Sequence, residues 1–193
     1  MTEGWRCGYT FQMSRAEKRV LCVLAGVLCL LLAGVALVRR GVFDRMRGTY
    51  LVYFVDAERE GRLVEVQRTG LTAGEIEKKI AVAVENLLSG PTGSDTSIAT
   101  AIPEDVRLLN CRISDRIVFL DFSGEIEKGG GTQMMRTRLA QIVFTATQFP
   151  EVTKVRFMVE GKLISYFSGE GLSEVENPLG KEDFPDFSTG AKR

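Results

Sequence analysis

Nineteen consecutive residues without a charge, Val20 to Val38 (VLCVLAGVLCLLLAGVALV), constrain this chain more than any other feature. Wound as a helix the run would be about 28 Å long, close to the thickness of a bilayer's hydrocarbon core. It is apolar on every side, which suits lipid better than the one-sided burial of a core helix. Signal-peptide apolar regions are usually shorter, so a retained transmembrane helix from Val20 to Val38 is expected. Gly34 and Ala36 also supply the small residues of a cleavage site after Ala36, and the cleaved alternative stays open. The stretch Leu32-Ala33-Gly34 would suit a lipid-attachment motif, but Val35 stands where the modified cysteine must be. Arg6, Arg15, Lys18 and Arg19 on one side balance Arg39, Arg40, Arg45 and Arg47 on the other, so flanking charge does not set the orientation.

The remainder is one domain's worth of chain. The net charge of zero hides an asymmetry: residues 1–48 hold 8 Lys/Arg against 3 Asp/Glu, and residues 49–193 hold 17 against 22. An acidic domain is a poor ligand for phosphate backbones, which argues against nucleic acid. There is no histidine, which removes both the usual general base near neutral pH and the commonest metal ligand. The four cysteines form no C-x-x-C pair, and Cys111 stands alone in the domain, so it reads as a buried apolar thiol. Neither a metal nor a cofactor is expected.

Local patterns give an element order. Tyr50–Val55 (YLVYFV) reads as a buried strand and Arg62–Thr69 as its partner. Thr72 and Glu75 are spaced as a capping box for a helix over 73–89. Its apolar face is Ile76, Ile80, Val84, Leu87 and Leu88, and Gly90-Pro91 stops it. Strands follow at Val106–Ile113 and Arg116–Phe122, the second apolar on both faces and therefore central. A second helix is expected over 132–148, capped by Thr132, with Met135, Leu139, Ile142, Val143 and Ala146 as its stripe. Val155, Phe157 and Val159 alternate as a further strand, and Leu163–Phe167 forms a short one. The acidic stretch from Gly169 carries little periodic signal and is expected to be partly disordered. The order β-β-α-β-β-α-β implies an α+β fold, a mixed or antiparallel sheet with both helices on one face, preceded by one transmembrane helix.

The set Leu51-Val52-Tyr53-Phe54, Glu85–Leu88 with Gly90-Pro91, and Ala101-Ile102-Pro103 resembles the GerMN domain family. The resemblance continues through Val118, Asp121, Phe122 and Ser123, then Gln141-Ile142-Val143-Phe144-Thr145, then Val155, Val159 and Gly161. It spans residues 49–167. It implies a domain outside the cytoplasmic membrane, related to ring-building motifs of secretion-type assemblies, with no known catalytic site; some members are joined to cell-wall amidases. The organisation expected is a basic tail (1–19), the apolar helix (20–38), a linker (39–48), the GerMN-like domain (49–167) and an acidic tail (168–193).

Chemistry-bearing residues are few. Asp121, Ser123 and Glu125 follow one another at the end of a central strand (DFSGE), and could serve a cell-wall hydrolase. The same residue types commonly close turns through side-chain-to-backbone hydrogen bonds. The Gly129-Gly130-Gly131 turn before a helix could cradle an anion, but no phosphate-loop pattern accompanies it and a plain flexible loop is the simpler account. The reading is a membrane-anchored, extracytoplasmic, non-catalytic module. Its expected partners are the membrane and peptidoglycan or envelope proteins, with a homo-oligomer as a further option. Asp121 and Ser123 are the binding candidates, no residue is assigned as catalytic, and the alternative is the hydrolase using Asp121, Ser123 and Glu125.

Overall fold

A computed structural model describes residues 24–26, 28–29, 31–32, 47–71, 74–93, 96–167 and 173–191. The chain divides into two units, Met1–Arg45 and Met46–Arg193. In the first, residues 24–26, 28–29 and 31–32 are helical, with Leu24, Leu28, Leu31 and Leu32 exposed. Among the described residues no helix is long and apolar enough to cross a membrane. Most of the expected span Val20–Val38 lies outside the described residues, as do the basic tail and most of the linker.

The second unit is α+β, built on two hairpins. Strands β1 (Arg47–Asp56) and β2 (Arg62–Leu71) pair antiparallel from Arg47↔Leu71 to Val55↔Leu63. Strands β4 (Leu108–Ser114) and β5 (Ile117–Phe122) form the other hairpin. Its two linking residues, Asp115 (φ 52°) and Arg116 (φ 63°), are both left-handed, the backbone that matches a tight hairpin to the strand twist. Strand β6 (Lys154–Val159) lies parallel to β5, which is central as its two-sided apolar pattern requires. Helix α1 (Ile76–Leu88) precedes the short strand β3 (Ile98–Ala99), and helix α2 (Thr132–Ala146) sits between β5 and β6 in sequence. Strands β7 (Lys162–Leu163) and β8 (Ser188–Ala191) complete the set.

Instead of the single sheet expected, there are two four-stranded sheets, β3-β1-β2-β8 and β4-β5-β6-β7. The two helices touch each other; α1 packs on β1 and β4, and α2 on β1 and β6. They therefore share contacts with both sheets rather than covering one face of one sheet. The physical reason lies at the edge of β1. Strand β3 pairs only with Val55 and Asp56, so on that side of β1 the backbone at Leu51 and Tyr53 has no strand beside it. Side chains of α2 and its end take that role. Gln148 accepts from the Leu51 amide and donates to the Leu51 carbonyl, both at 2.7 Å. Thr145 Oγ1 accepts from the Tyr53 amide at 3.2 Å, and Gln141 Nε2 donates to the Tyr53 carbonyl at 3.0 Å. Residues 141, 145 and 148 share one helix face, while residues 51 and 53 share one strand edge, so the two periods meet. The edge is closed by amides and a hydroxyl, and no further strand can add there.

Helix boundaries also differ from expectation at the caps. Helix α1 begins at Ile76 with Glu75 as N-cap, and Glu75 makes no capping hydrogen bond; Thr72 lies outside the described residues. Helix α2 is capped by Gly131, and Thr132 is its first helical residue. Its burial is wider than one stripe: Arg138, Gln141 and Thr145 are buried along with Leu139, Ile142 and Val143. The acidic tail departs most from expectation. Within 173–191, β8 pairs parallel with β2, Leu179 bridges Val155, and Val175, Leu179, Phe184 and Phe187 are buried in the core. The second unit therefore extends well past residue 167.

Candidate functional site

The sequence candidates fall into turns. Asp121 is the fifth residue of β5, 8% exposed, and both its carboxylate oxygens accept from the Gly161 amide, at 2.9 and 3.0 Å. Glu160 (φ 49°) and Gly161 (φ 79°) make the left-handed turn from β6 to β7, and Asp121 ties that turn down from the neighbouring strand. Ser123 is 3% exposed. Its Oγ accepts from the Arg107 amide at 3.0 Å, and its own amide donates to the Arg107 carbonyl at 2.9 Å, which fixes the entry to β4. The Ser123 hydroxyl also donates to the Glu125 carboxylate, chief cause of holding that group down at about 2; the Glu125 amide and Lys128, 3.3 Å away, add to it.

Ser123 and Glu125 are thus in contact, while Asp121 is engaged elsewhere. A carboxylate held down in this way is a weaker base than a free one. The hydroxyl itself is hidden from solvent. Among the described residues no cluster of three His, Cys, Asp or Glu could hold a metal ion. Asp121 and Ser123 thus each accept from a backbone amide, Gly161 and Arg107, while Glu125 is held by Ser123 and Lys128. Asp121→Ala is expected to cost about 1–3 kcal/mol by leaving the Gly161 amide without its acceptor. Urea denaturation measures this, and an unchanged midpoint would show that the bond contributes nothing.

A concavity of about 600 Å³ lies elsewhere. One wall is the end of β1 at Val55, the Glu60-Gly61 turn and Phe187. The other is Ala99–Ala101 and the first turns of α2, from Gly131 through Met134 to Thr137. Gly61 is required there: its φ is +69°, and an added Cβ would lie 3.0 Å from the Asp186 carbonyl. Val55, Ala99, Ala101, Met134 and Phe187 supply apolar surface beside two glycines, three threonines, Glu60 and Gln133, with Met134 half exposed at 50%. The Gly129–Gly131 turn, read from sequence as an anion cradle or a flexible loop, meets this cavity through Gly131.

Buried polar residues of α2 hold the walls in place. Arg138, 1% exposed, donates to the carbonyls of Ala101 (2.9 Å), Gly129 (3.2 Å) and Ile126. Burial pulls its guanidinium down to about 10. The Ala101 amide donates to Gln141 Oε1 at 2.8 Å, so both backbone groups of Ala101 are bound to the helix. Sequence reasoning missed this cavity because its lining comes from separated segments, none with a motif. The signal that could have found it was Arg138, a charge three residues after Met135 in an otherwise inward-facing stretch.

Comparisons with known proteins agree with this architecture. The family model described as Germane: Sporulation and spore germination matches residues 51–165. A Clostridium perfringens protein classed as a lipoprotein is 26% identical with a TM-score of 0.51, over 73% of this chain and 92% of that one. The tandem GerMN domains of the sporulation protein GerM from Bacillus subtilis are 17% identical with a TM-score of 0.55, over 71% of this chain and 47% of that one. The first GerMN domain of the same protein is 20% identical with a TM-score of 0.51, over 69% and 95%. Curated proteins provide no match. With its two-sheet α+β fold and a family match over residues 51–165, the chain belongs to the Germane family of sporulation and spore germination domains.

Proposed function

We propose that this chain is a membrane-anchored, extracytoplasmic module that binds peptidoglycan or partner proteins during cell-envelope assembly and performs no turnover. The observation that carries the reading is the separation of roles: Asp121, Ser123 and Glu125 are used up in turns, and none of them lines the large cavity. An enzyme needs a nucleophile or activated water, a proton carrier and a charge stabiliser within hydrogen-bond reach. The cavity offers Glu60, threonines and a glutamine around an apolar floor, a surface that suits a protein side chain better than a polar glycan. Membrane attachment rests on the uncharged run Val20–Val38, and the outward orientation rests on the family. An anchor raises local concentration and strengthens weak contacts in the way linked modules do.

The full chain in detergent micelles, incubated with purified peptidoglycan sacculi, is expected to release no soluble fragments. Asp121→Ala is expected to change stability and leave that result as it is. Fragment release by the wild type that Asp121→Ala abolishes would overturn the reading and establish the hydrolase.

A further inference from the structure

Strand β4 is an edge strand. Among the described residues it pairs only with β5, and its other side faces a groove walled by α1. The Cys111 amide donates to the neighbouring Asn110 Oδ1 at 2.9 Å, as an outward-pointing edge amide does when no strand is beside it. Leu109 stands in the groove 48% exposed. Glu77, Ala81 and Glu85 line the α1 side, four residues apart on one helix face. The groove continues past Leu108 to Glu104, and its two parts, about 230 and 400 Å³, share Glu85 and Leu108.

The groove carries three carboxylates, Glu77, Glu85 and Glu104, against two cations, Lys78 and Arg107, so its charge is acidic by one. Among the described residues Glu77, Glu85 and Glu104 make no ion pair, and Lys78 is taken up by Glu75 at 3.1 Å. Arg107 stands at the Glu104 end. The Cys111 thiol feels the field: burial first, then Glu77 and Glu85, push it up to about 12.

We propose that the β4 edge receives an extended cationic segment of a partner protein, added as a fifth strand. A free edge strand is a template for another chain, and the carboxylates beside it select the sign of that chain. A polyanion would be repelled, and an apolar strand would bury Glu77 without a partner. Spacing narrows the segment further. Glu77 and Glu85 are two turns apart, about 12 Å along α1. Same-face residues four apart in a strand span about 13 Å, so Lys or Arg at positions i and i+4 would meet both. An apolar residue between them would cover Leu109. This rests on the binding reading and gives it a partner chemistry at a second surface.

The test titrates the full chain in detergent with a fluorescent seven-residue peptide of valine and leucine carrying lysine at its second and sixth positions. Anisotropy is expected to show saturable binding that weakens as salt rises. The Glu77→Gln/Glu85→Gln double variant is expected to bind about tenfold more weakly, each tenfold corresponding to about 1.4 kcal/mol. Arg107→Gln is expected to bind more tightly, which keeps the test readable if the double variant folds poorly. A central proline in the peptide should abolish binding, since proline cannot donate to a ladder. Equal binding of a peptide with glutamate in place of lysine, or no change in any variant, overturns the proposal. Self-association of the chain that the double variant removes would give the groove to a second copy and overturn the partner assignment. Sacculus turnover is measured on the same preparations, so the edge can fail while the binding reading stands.

Discussion

A chain ending at residue 172 is expected to lose cooperative folding. The acidic segment after it looks dispensable in sequence, yet it places Val175, Leu179, Phe184 and Phe187 in the core, each no more than 8% exposed. Burying such side chains is worth about 1.5–3 kcal/mol apiece, on the order of 6–12 kcal/mol together as an upper estimate. A domain's whole stability is about 5–15 kcal/mol. The truncation also removes β8, which leaves β2 as a free edge at Arg62–Glu65, and takes away Asp186, bound by Arg136 at 2.8 Å. Phe187 leaves the wall of the large cavity as well. The measurement is urea denaturation of the full and truncated chains by circular dichroism in the same detergent. A truncated chain with an unchanged midpoint would mean that the segment is an appendage.

The reason this segment was not legible explains much of what else was missed. Sequence patterns report regular periods, and the tail uses none: its four core residues are spaced by four, five and three positions among glutamates, aspartates and prolines. They dock through short 3-10 turns at Ser173–Glu176 and Lys181–Asp183, where no amphipathic stripe can develop. The regular parts were legible. YLVYFV, the two-sided run in β5 and the alternation of β6 all appear as strands, and both helices appear within a few residues of their expected ends. The caps were less so, because Glu75 and Gly131 take positions that residue type alone would give to Thr72 and Thr132.

The division into two sheets depended on a feature that pattern reading does not score. Gln141, Thr145 and Gln148 look like polar residues of a helix's wet face, and the family motif contains two of them without saying why. In the fold they are the partners of Leu51 and Tyr53, replacing a strand with a helix face. Arg138 is a further case, a cation that sequence rules place at the surface and the structure buries among carbonyls. For Asp121 and Ser123 the bland account available in the sequence, turn closure, is the one the hydrogen bonds support.

Leu139→Ala is expected to cost about 4–5 kcal/mol, the upper part of the usual range for such a truncation in a core. Leu139 is fully buried at 0% exposure, near the middle of the helix that touches both sheets. The cost of removing a buried leucine depends on how far the surroundings can close over the void. Here the helix cannot slide into it. Arg138 is bound to the carbonyls of Ala101 and Gly129, Gln141 to Tyr53 and Ala101, and Gln148 to Leu51. Any shift that filled the void would stretch these buried bonds, and each one left unmade costs about 1–3 kcal/mol. The cavity therefore persists and its full term is added to the lost transfer energy. Gln133→Ala, on the exposed first turn of the same helix, should change stability by no more than about 0.5 kcal/mol and serves as the control. Urea denaturation with an unchanged slope reads the difference directly. A loss below about 2 kcal/mol for Leu139→Ala would show that the helix relaxes freely, and that its polar side chains do not hold it to β1 and the cavity walls.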